Sequence, residues 1–371
     1  MARLPKIIAH TALLLFTPVT VLAEVDCTGN ITIADGLGAR EVRESCTVIE
    51  GNVHLKTDVS ETINLDGIET IKGSLTHSGC DEWVYGGGCD IPDPFNLTSN
   101  TLREINGDID FWYFNGLDRI DFPELVVVNK TVSLRRLHNV THIDFEKLKW
   151  VGYFSLETQS LETLRLEGLE GFLDRGWGHG GVTITDAGSV ESVDGFFKNA
   201  IDPMHEERLK GNPYTNMIID SGAIPNVRSL TFGWTRYPHV AFAGENLTVT
   251  LGGADTEEQV IGELELRLGV TEFRRGSAMK NLTVDRLVMQ SQAGMEDLVL
   301  PFDQISDIDL SNVTTLRTLE LPEKAEGWNL SSFGIWNCPS LLVGDSTWHW
   351  PKEHPMSDLN LVNFNMTNEF A

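Results

Sequence analysis

The sequence predicts a mainly β protein built as a parallel β-solenoid, and three observations carry that expectation. A phrase of the form apolar-x-Gly-x-apolar-x-apolar reads Ile49-Glu50-Gly51-Asn52-Val53-His54-Leu55, then Ile71-Lys72-Gly73-Ser74-Leu75-Thr76-His77, then Ile105-Asn106-Gly107-Asp108-Ile109-Asp110-Phe111. Weaker copies occupy residues 128–134 and 150–156, so the third position falls at 51, 73, 107, 130 and 152, mostly 22 or 23 residues apart. A second phrase precedes it: Ile63, Leu65, Ile68 and Ile71, then Ile120, Phe122, Leu125 and Val128, then Ile143, Phe145 and Leu148. Alternating apolar residues are the mark of short strands with one buried face. One such unit cannot bury that face alone, whereas stacked copies bury a continuous core. Helical solenoids repeat at about 33 residues or more and lack this period of two.

At the start of the chain Arg3 and Lys6 form a positive region, residues 7–22 an interrupted apolar stretch, and Val21-Leu22-Ala23 a small-residue cleavage pattern, so residues 1–23 read as a secretory signal peptide. The apolar run 12–16 is far shorter than the ~20 residues of a spanning helix, and Pro18 breaks the stretch beyond it. Residues 34–45, with Leu37 and Val42 among polar neighbours, read as a short capping helix pinned by Cys27 and Cys46. The repeats then run on, with one long step that contains Cys80 and Cys89, as though an inserted loop were tied at its base. Past Gly152 the register loosens, although Leu164/Leu166, Val182/Ile184, Leu230/Phe232, Leu264/Leu266/Leu268, Leu298/Leu300, Ile308/Leu310 and Leu319/Leu321 keep the strand signature. Residues 24–175 are therefore expected to form a first lobe and residues 176–371 a second, less regular one. The Gly-rich stretch 176–181 and the segment 197–213 are the candidate breaks. Trp328, Trp336, Trp348 and Trp350 gather late in the chain, and we read them as a plug over the open end in preference to a sugar-stacking surface.

Composition bounds the partners. The chain has 54 acidic against 28 basic residues, a net charge of −26 that becomes −28 when Arg3 and Lys6 leave with the signal peptide. Partners held through phosphate contacts, nucleic acid above all, are excluded on that balance, and anionic membrane surfaces fit no better. No later segment approaches transmembrane length, and no lipid-anchor signal closes the chain, so a soluble extracellular product is expected.

Two counts point the same way. Asn-x-Ser/Thr occurs nine times, at Asn30, Asn96, Asn129, Asn139, Asn246, Asn281, Asn312, Asn329 and Asn365, against about three expected by chance from this composition. The excess predicts an N-glycoprotein. Of the five cysteines, Cys27/Cys46 and Cys80/Cys89 are the local pairs that an oxidising compartment would close. Cys338 stands alone and reads as a buried thiol, with crosslinking to another chain the minor alternative. No Cys/His spacing matches a zinc site, and no motif requires a cofactor.

Two pairs of carboxylates invite a catalytic reading, because parallel β-solenoids can carry polysaccharide lyases and hydrolases. Asp108/Asp110 flank inward Ile109, and Glu263/Glu265 alternate with Leu264 and Leu266, which puts each pair on one strand face about 7 Å apart. Glycosidases need about 5–9.5 Å. On so acidic a chain such alternation arises readily on any solvated face, so no catalytic residue is assigned. His179, His349 and His354 read as inert surface histidines, and there is no nucleophile elbow, phosphate loop or dinucleotide fingerprint.

The Cys-flanked cap, the Ile49-x-Gly51 phrase returning through Gly73, Gly107 and Gly152, the signal peptide and the dense sequons together resemble the receptor L-domain-like, leucine-rich proteins of fungal cell surfaces. Within that group the resemblance is greatest to the cell-wall-organisation family usually carried on a glycosylphosphatidylinositol anchor. The match covers roughly residues 24–156. It implies a right-handed parallel β-solenoid and a non-catalytic role in wall integrity, with no catalytic residue to carry over; the Ser-rich stalk and anchor signal common in that family are missing here. The expected function is a secreted, non-enzymatic glycoprotein that organises cell wall or binds extracellular polysaccharide or wall glycoprotein. The alternatives are a polysaccharide-active enzyme on the same fold, a protein-binding ectodomain or a secreted effector.

Overall fold

The computed structural model describes residues 25–78, 93–114, 116–167, 169–173, 181–200, 216–219, 224–291, 294–343 and 357–366. The chain winds as a parallel β-solenoid of about twelve coils, each about 23 residues long. One long front sheet runs the length of the molecule, and every strand pair in it is parallel. Its inward positions stack residue on residue, beginning Ile31, Val53, Leu75, Ile109, Val132, Phe154 and Val182. The later column runs Val240, Leu264, Leu287, Ile308 and Phe333. Nearly all of these side chains are fully shielded from solvent, and burial of each contributes about 1.5–3 kcal/mol.

The second phrase builds the side of each early coil. Ile63–Asn64, Phe95–Thr98, Leu117–Asp121, His142–Asp144 and Thr163–Arg165 form a separate five-stranded parallel sheet. Leu65, Ile68, Phe122, Leu125, Phe145 and Leu148, which bend the chain back to the front, are buried throughout. Later coils use shorter side sheets, Ser229–Phe232 with Leu247–Leu251 and Val270–Arg275, then Asp297–Val299 with Thr318–Glu320.

At the corner leading into the front sheet the glycines stack on one another. The amide of Gly73 donates to Gly51 O at 3.1 Å and that of Gly107 to Gly73 O at 2.8 Å. A Cβ at Gly51, Gly73 or Gly107 would lie only 2.3, 2.4 or 2.5 Å from the carbonyl oxygen of the glycine one coil earlier. The next residue of each coil continues the stacking through its side chain. Asn30 Oδ1 accepts from Asn52 N, Asn52 Oδ1 from Ser74 N, Ser74 Oγ from Asp108 N and Asp108 Oδ1 from Thr131 N, all within 3.0 Å. Backbone amides that the turn leaves without a ladder partner are thereby satisfied.

Several expectations need correction in detail. The capping helix is Gly36–Ser45, with Asp35 as its N-cap accepting from Gly38 N at 2.7 Å. It buries Ala39 and Val42, one turn apart on a single face, while Leu37 points outward and is half exposed. Leu268 lies beyond the end of the strand Glu258–Leu266 and is likewise exposed. In the fifth phrase Val151, rather than Trp150, pairs with Val128, because Val127–Arg135 holds one more residue at the corner than its neighbour. Trp328 is fully buried, and Trp336 stands on the outer face, 44 % exposed, in register with Ser311 and Val362. Trp348, Trp350, His179, His349 and His354 lie outside the described residues.

At the expected lobe boundary the strand Gly181–Asp186 pairs with Trp150–Glu157 on one side and Asn216–Ile219 on the other. The short helix Asp194–Phe197 packs Phe196 and Phe197 into an aromatic cluster with Phe172, Phe232 and Trp234. Among the described helices none is long and apolar enough to cross a membrane.

Cys27 and Cys46 form a disulfide that closes the cap, while Cys338 is free and buried, its thiol pushed up by burial. Cys80 and Cys89 lie outside the described residues. A crosslink over a loop of this length stabilises by about 3 kcal/mol. Cys27→Ser is therefore expected to lower the melting temperature of the purified protein further than Cys338→Ser does, as read by scanning calorimetry. Equal melting temperatures for the two variants would show that the cap does not depend on its disulfide.

Candidate functional site

The outer surface of the front sheet is polar, because alternation turns every second side chain of each strand to solvent. On Val127–Arg135 the inward residues are Val132 and Leu134, so Thr131, Ser133 and Arg135 face out. On Trp150–Glu157 the inward Phe154 and Leu156 leave Tyr153 and Ser155 facing out. Register then lines them up: Asp110 with Ser133 and Ser155, and Thr131 with Tyr153. Together with Asp108, these residues line a cavity of about 510 Å³ on the outer face.

The lining is held by its own hydrogen bonds. Asp108 is tied down, accepting from Thr131 N at 3.0 Å and from Ser74 Oγ at 3.4 Å. Arg135 Nε donates to Ser133 Oγ at 3.0 Å, and its Nη2 lies 3.8 Å from Asp110 Oδ1. That oxygen is shielded from solvent yet accepts no hydrogen bond from the described residues. The Tyr153 hydroxyl is hydrogen-bonded to Thr183 Oγ1 on the next coil.

The second predicted carboxylate pair sits further along the same face. His239, Glu263 and Arg286 occupy one outward column, and Glu265 lies beside it. His239 Nε2 is 3.5 Å from Glu263 Oε1 and 3.6 Å from Glu265 Oε2, and one ligand atom from each of the three residues falls within 4.8 Å of the others. This is the group of described residues that could hold a divalent ion. Both carboxylates are already matched, Glu265 by Arg267 at 2.9 Å and Glu263 by Arg286 at 3.3 Å. The arrangement therefore works as an ion-pair lattice across neighbouring coils, and a cation would have to displace guanidinium groups to enter.

A second lattice ties later coils together. Asp303 accepts from Arg275 at 2.6 Å, Lys324 at 2.7 Å and Leu282 N at 2.7 Å. Partial burial acts to raise its pKa, but Lys324, the Leu282 amide and Arg275 outweigh it and hold the carboxyl below the usual range.

Among the described sequons no asparagine is buried. Asn30, Asn139, Asn246, Asn281, Asn312 and Asn329 are exposed, and Asn96 and Asn129 are half-buried. Asn129 Nδ2, the atom a glycan would use, donates to Asn106 Oδ1 at 2.5 Å. The side chain of Asn365 lies outside the described burial. None of the described sequon asparagine side chains lines the cavity.

Sequence reasoning singled out both carboxylate pairs but not Arg135, Tyr153 or His239. The available signal was the repeat itself: 23 and 22 residues separate Asp110, Ser133 and Ser155, and 24 separate His239 from Glu263. Comparison with protein-family models, with curated protein sequences and with solved structures gives no match for this chain.

Proposed function

We propose that the protein is a secreted, N-glycosylated, non-catalytic β-solenoid that binds or organises extracellular polysaccharide or cell-wall glycoprotein, in the manner of the fungal wall-organisation proteins that its N-terminal repeats resemble. The observation that carries this reading is the cavity on the front face, whose walls are hydroxyls, carboxylates, a guanidinium and a phenol. Groups of that kind match a polyhydroxylated ligand. The surface position of the described sequon asparagines supports an extracellular glycoprotein.

A glycosidase is the second reading, favoured because Asp108 and Asp110 line one cavity. Against it, the Asp108 carboxylate already accepts from the Thr131 amide and the Ser74 hydroxyl. Acid–base work on a glycosidic oxygen needs a carboxyl within hydrogen-bond reach of that oxygen.

Purified protein incubated with washed β-glucan, chitin and mannan decides between them. Binding to at least one pellet with no rise in reducing ends is the expected result. Release of reducing ends would replace the binding protein with an enzyme, and failure to bind any of the three would overturn polysaccharide binding altogether.

A further inference from the structure

We infer that the cavity over Asp110, Arg135 and Tyr153 is a subsite for an uncharged carbohydrate chain lying along the solenoid axis, across the three coils that supply Ile109–Trp112, Val127–Arg135 and Trp150–Glu157. This rests on the polysaccharide-binding reading and adds to it the place of contact and the chemistry of recognition.

The composition of the walls comes first. Small-molecule sites of about 300–1,000 Å³ are ordinarily lined by apolar side chains with a few polar groups among them. This cavity lies within that size range, yet all seven side chains lining it are polar. Such a wall offers little to an apolar peptide side chain or a lipid tail, and it suits a ligand that is polar along its edges.

Charge narrows the class further. Two carboxylates face one guanidinium, which disfavours phosphate, sulfate or uronate groups. Asp110 and Arg135 lie close enough to offset one another, so the walls pair an acceptor with a neighbouring donor instead of presenting one strong charge. A sugar hydroxyl both donates and accepts, and adjacent hydroxyls on a ring can meet the two groups together.

Two further features suit such a ligand. The Asp110 side chain stands 46 % exposed beside the Arg135 guanidinium, so the carboxylate can accept from one ligand hydroxyl while the guanidinium donates to its neighbour. Tyr153, hydrogen-bonded to Thr183, presents an aromatic ring of the kind on which sugars stack. The same outward positions recur on adjacent strands every ~4.8 Å, so the column Asp110, Ser133 and Ser155, with Thr131 and Tyr153 beside it, presents polar groups to successive units of an extended polymer.

Calorimetry on the full-length chain, with its N-glycans trimmed to the first sugar, tests the assignment. The probes are hexasaccharides of β-1,3-linked glucose, β-1,4-linked N-acetylglucosamine and α-1,6-linked mannose, with tetralysine as a cationic peptide, each at about 1 mM. One hexasaccharide is expected to bind, and Asp110→Ala and Arg135→Ala are each expected to weaken it by about tenfold. Both residues lie on the outer face, and an unchanged melting temperature verifies that the variants fold. Glu320→Ala, exposed on a separate sheet, should bind as the unaltered protein does. Unchanged affinity in both cavity variants would overturn this subsite while leaving polysaccharide binding in place. Tighter binding of tetralysine than of every hexasaccharide, or no hexasaccharide binding at all, would overturn the sugar assignment. Loss of retention on all wall polymers, measured separately, is what would remove the functional reading beneath it.

Discussion

Gly73→Ala is expected to lower stability by more than about 3 kcal/mol, read as a shift in the urea midpoint at unchanged slope. The added methyl would lie 2.4 Å from Gly51 O, 2.6 Å from Gly51 C and 2.4 Å from Asn52 Oδ1. The first two are backbone atoms of the preceding coil, so no rotamer change relieves the clash. Relief requires the coils to separate, and the bond from Gly73 N to Gly51 O, together with the Asn52–Ser74 link beside it, would be stretched. The same methyl at Gly327 meets nothing within 4 Å. Gly327→Ala is therefore the matched control, expected to stay within about 0.5 kcal/mol of the unaltered protein. Comparable losses in both would mean that generic backbone effects, and not close coil contact, explain the glycine column.

Acid sensitivity through His77 is the second large effect. His77 occupies an inward position of the third coil, 3 % exposed, stacked on Phe114 at 3.4 Å between ring centres and bonded through Nδ1 to Leu55 O at 3.1 Å. Burial is the main force lowering its pKa to about 4; the Leu55 carbonyl opposes the shift and the neighbouring His54 adds to it. The unfolded chain binds this proton near pH 6.5, whereas the folded chain refuses it until about pH 4. Between those values the unfolded state carries more protons, so stability falls as pH falls, by about 1.4 kcal/mol per pH unit and about 3 kcal/mol in all. His77→Phe retains the ring stack and removes the proton. Subtracting its stability profile from that of the unaltered protein should leave a slope confined to pH 6.5–4. A difference that is flat across that window would contradict a neutral, buried His77.

The architecture was legible because its causes are local. The glycine column, the alternating Val53/Leu55 and Ile109/Phe111 pairs, and the Asp35-capped helix each arise from a few neighbouring residues. His77 stood in the apolar register of its phrase, and burial confirms that place. Register beyond Gly152 was harder to read, because the coils change length. Phe154 stacks on Val182 after 28 residues and Ile184 on Ile219 after 35, so a fixed step loses the alignment. The extra residue in Val127–Arg135 likewise hid the pairing of Val151 with Val128. Leu37 and Leu268 show the limit of pattern alone, since an apolar residue in a plausible phase is still exposed when no neighbouring coil covers it.

The cavity was only half legible for a related reason. Asp108 and Asp110 were visible as a pair on one strand, whereas Arg135 and Tyr153 join them only through lateral register across three coils. Spacing along one strand says nothing of that lateral direction. It was also register that placed His239 and Arg286 beside Glu263, whereas Arg267 reaches Glu265 from two residues along the chain, and together they tie the second carboxylate pair into an ion-pair lattice.

Fractionation of an internally tagged chain in a fungal host, into cytosol, detergent-soluble membrane, extracted wall and medium, with and without enzymatic removal of N-glycans, tests the secreted-glycoprotein reading most directly. Recovery in wall or medium, with a large fall in apparent mass after glycan removal, is the predicted result. Retention in the cytosol with no change in mass would contradict a secreted glycoprotein acting on extracellular polymers.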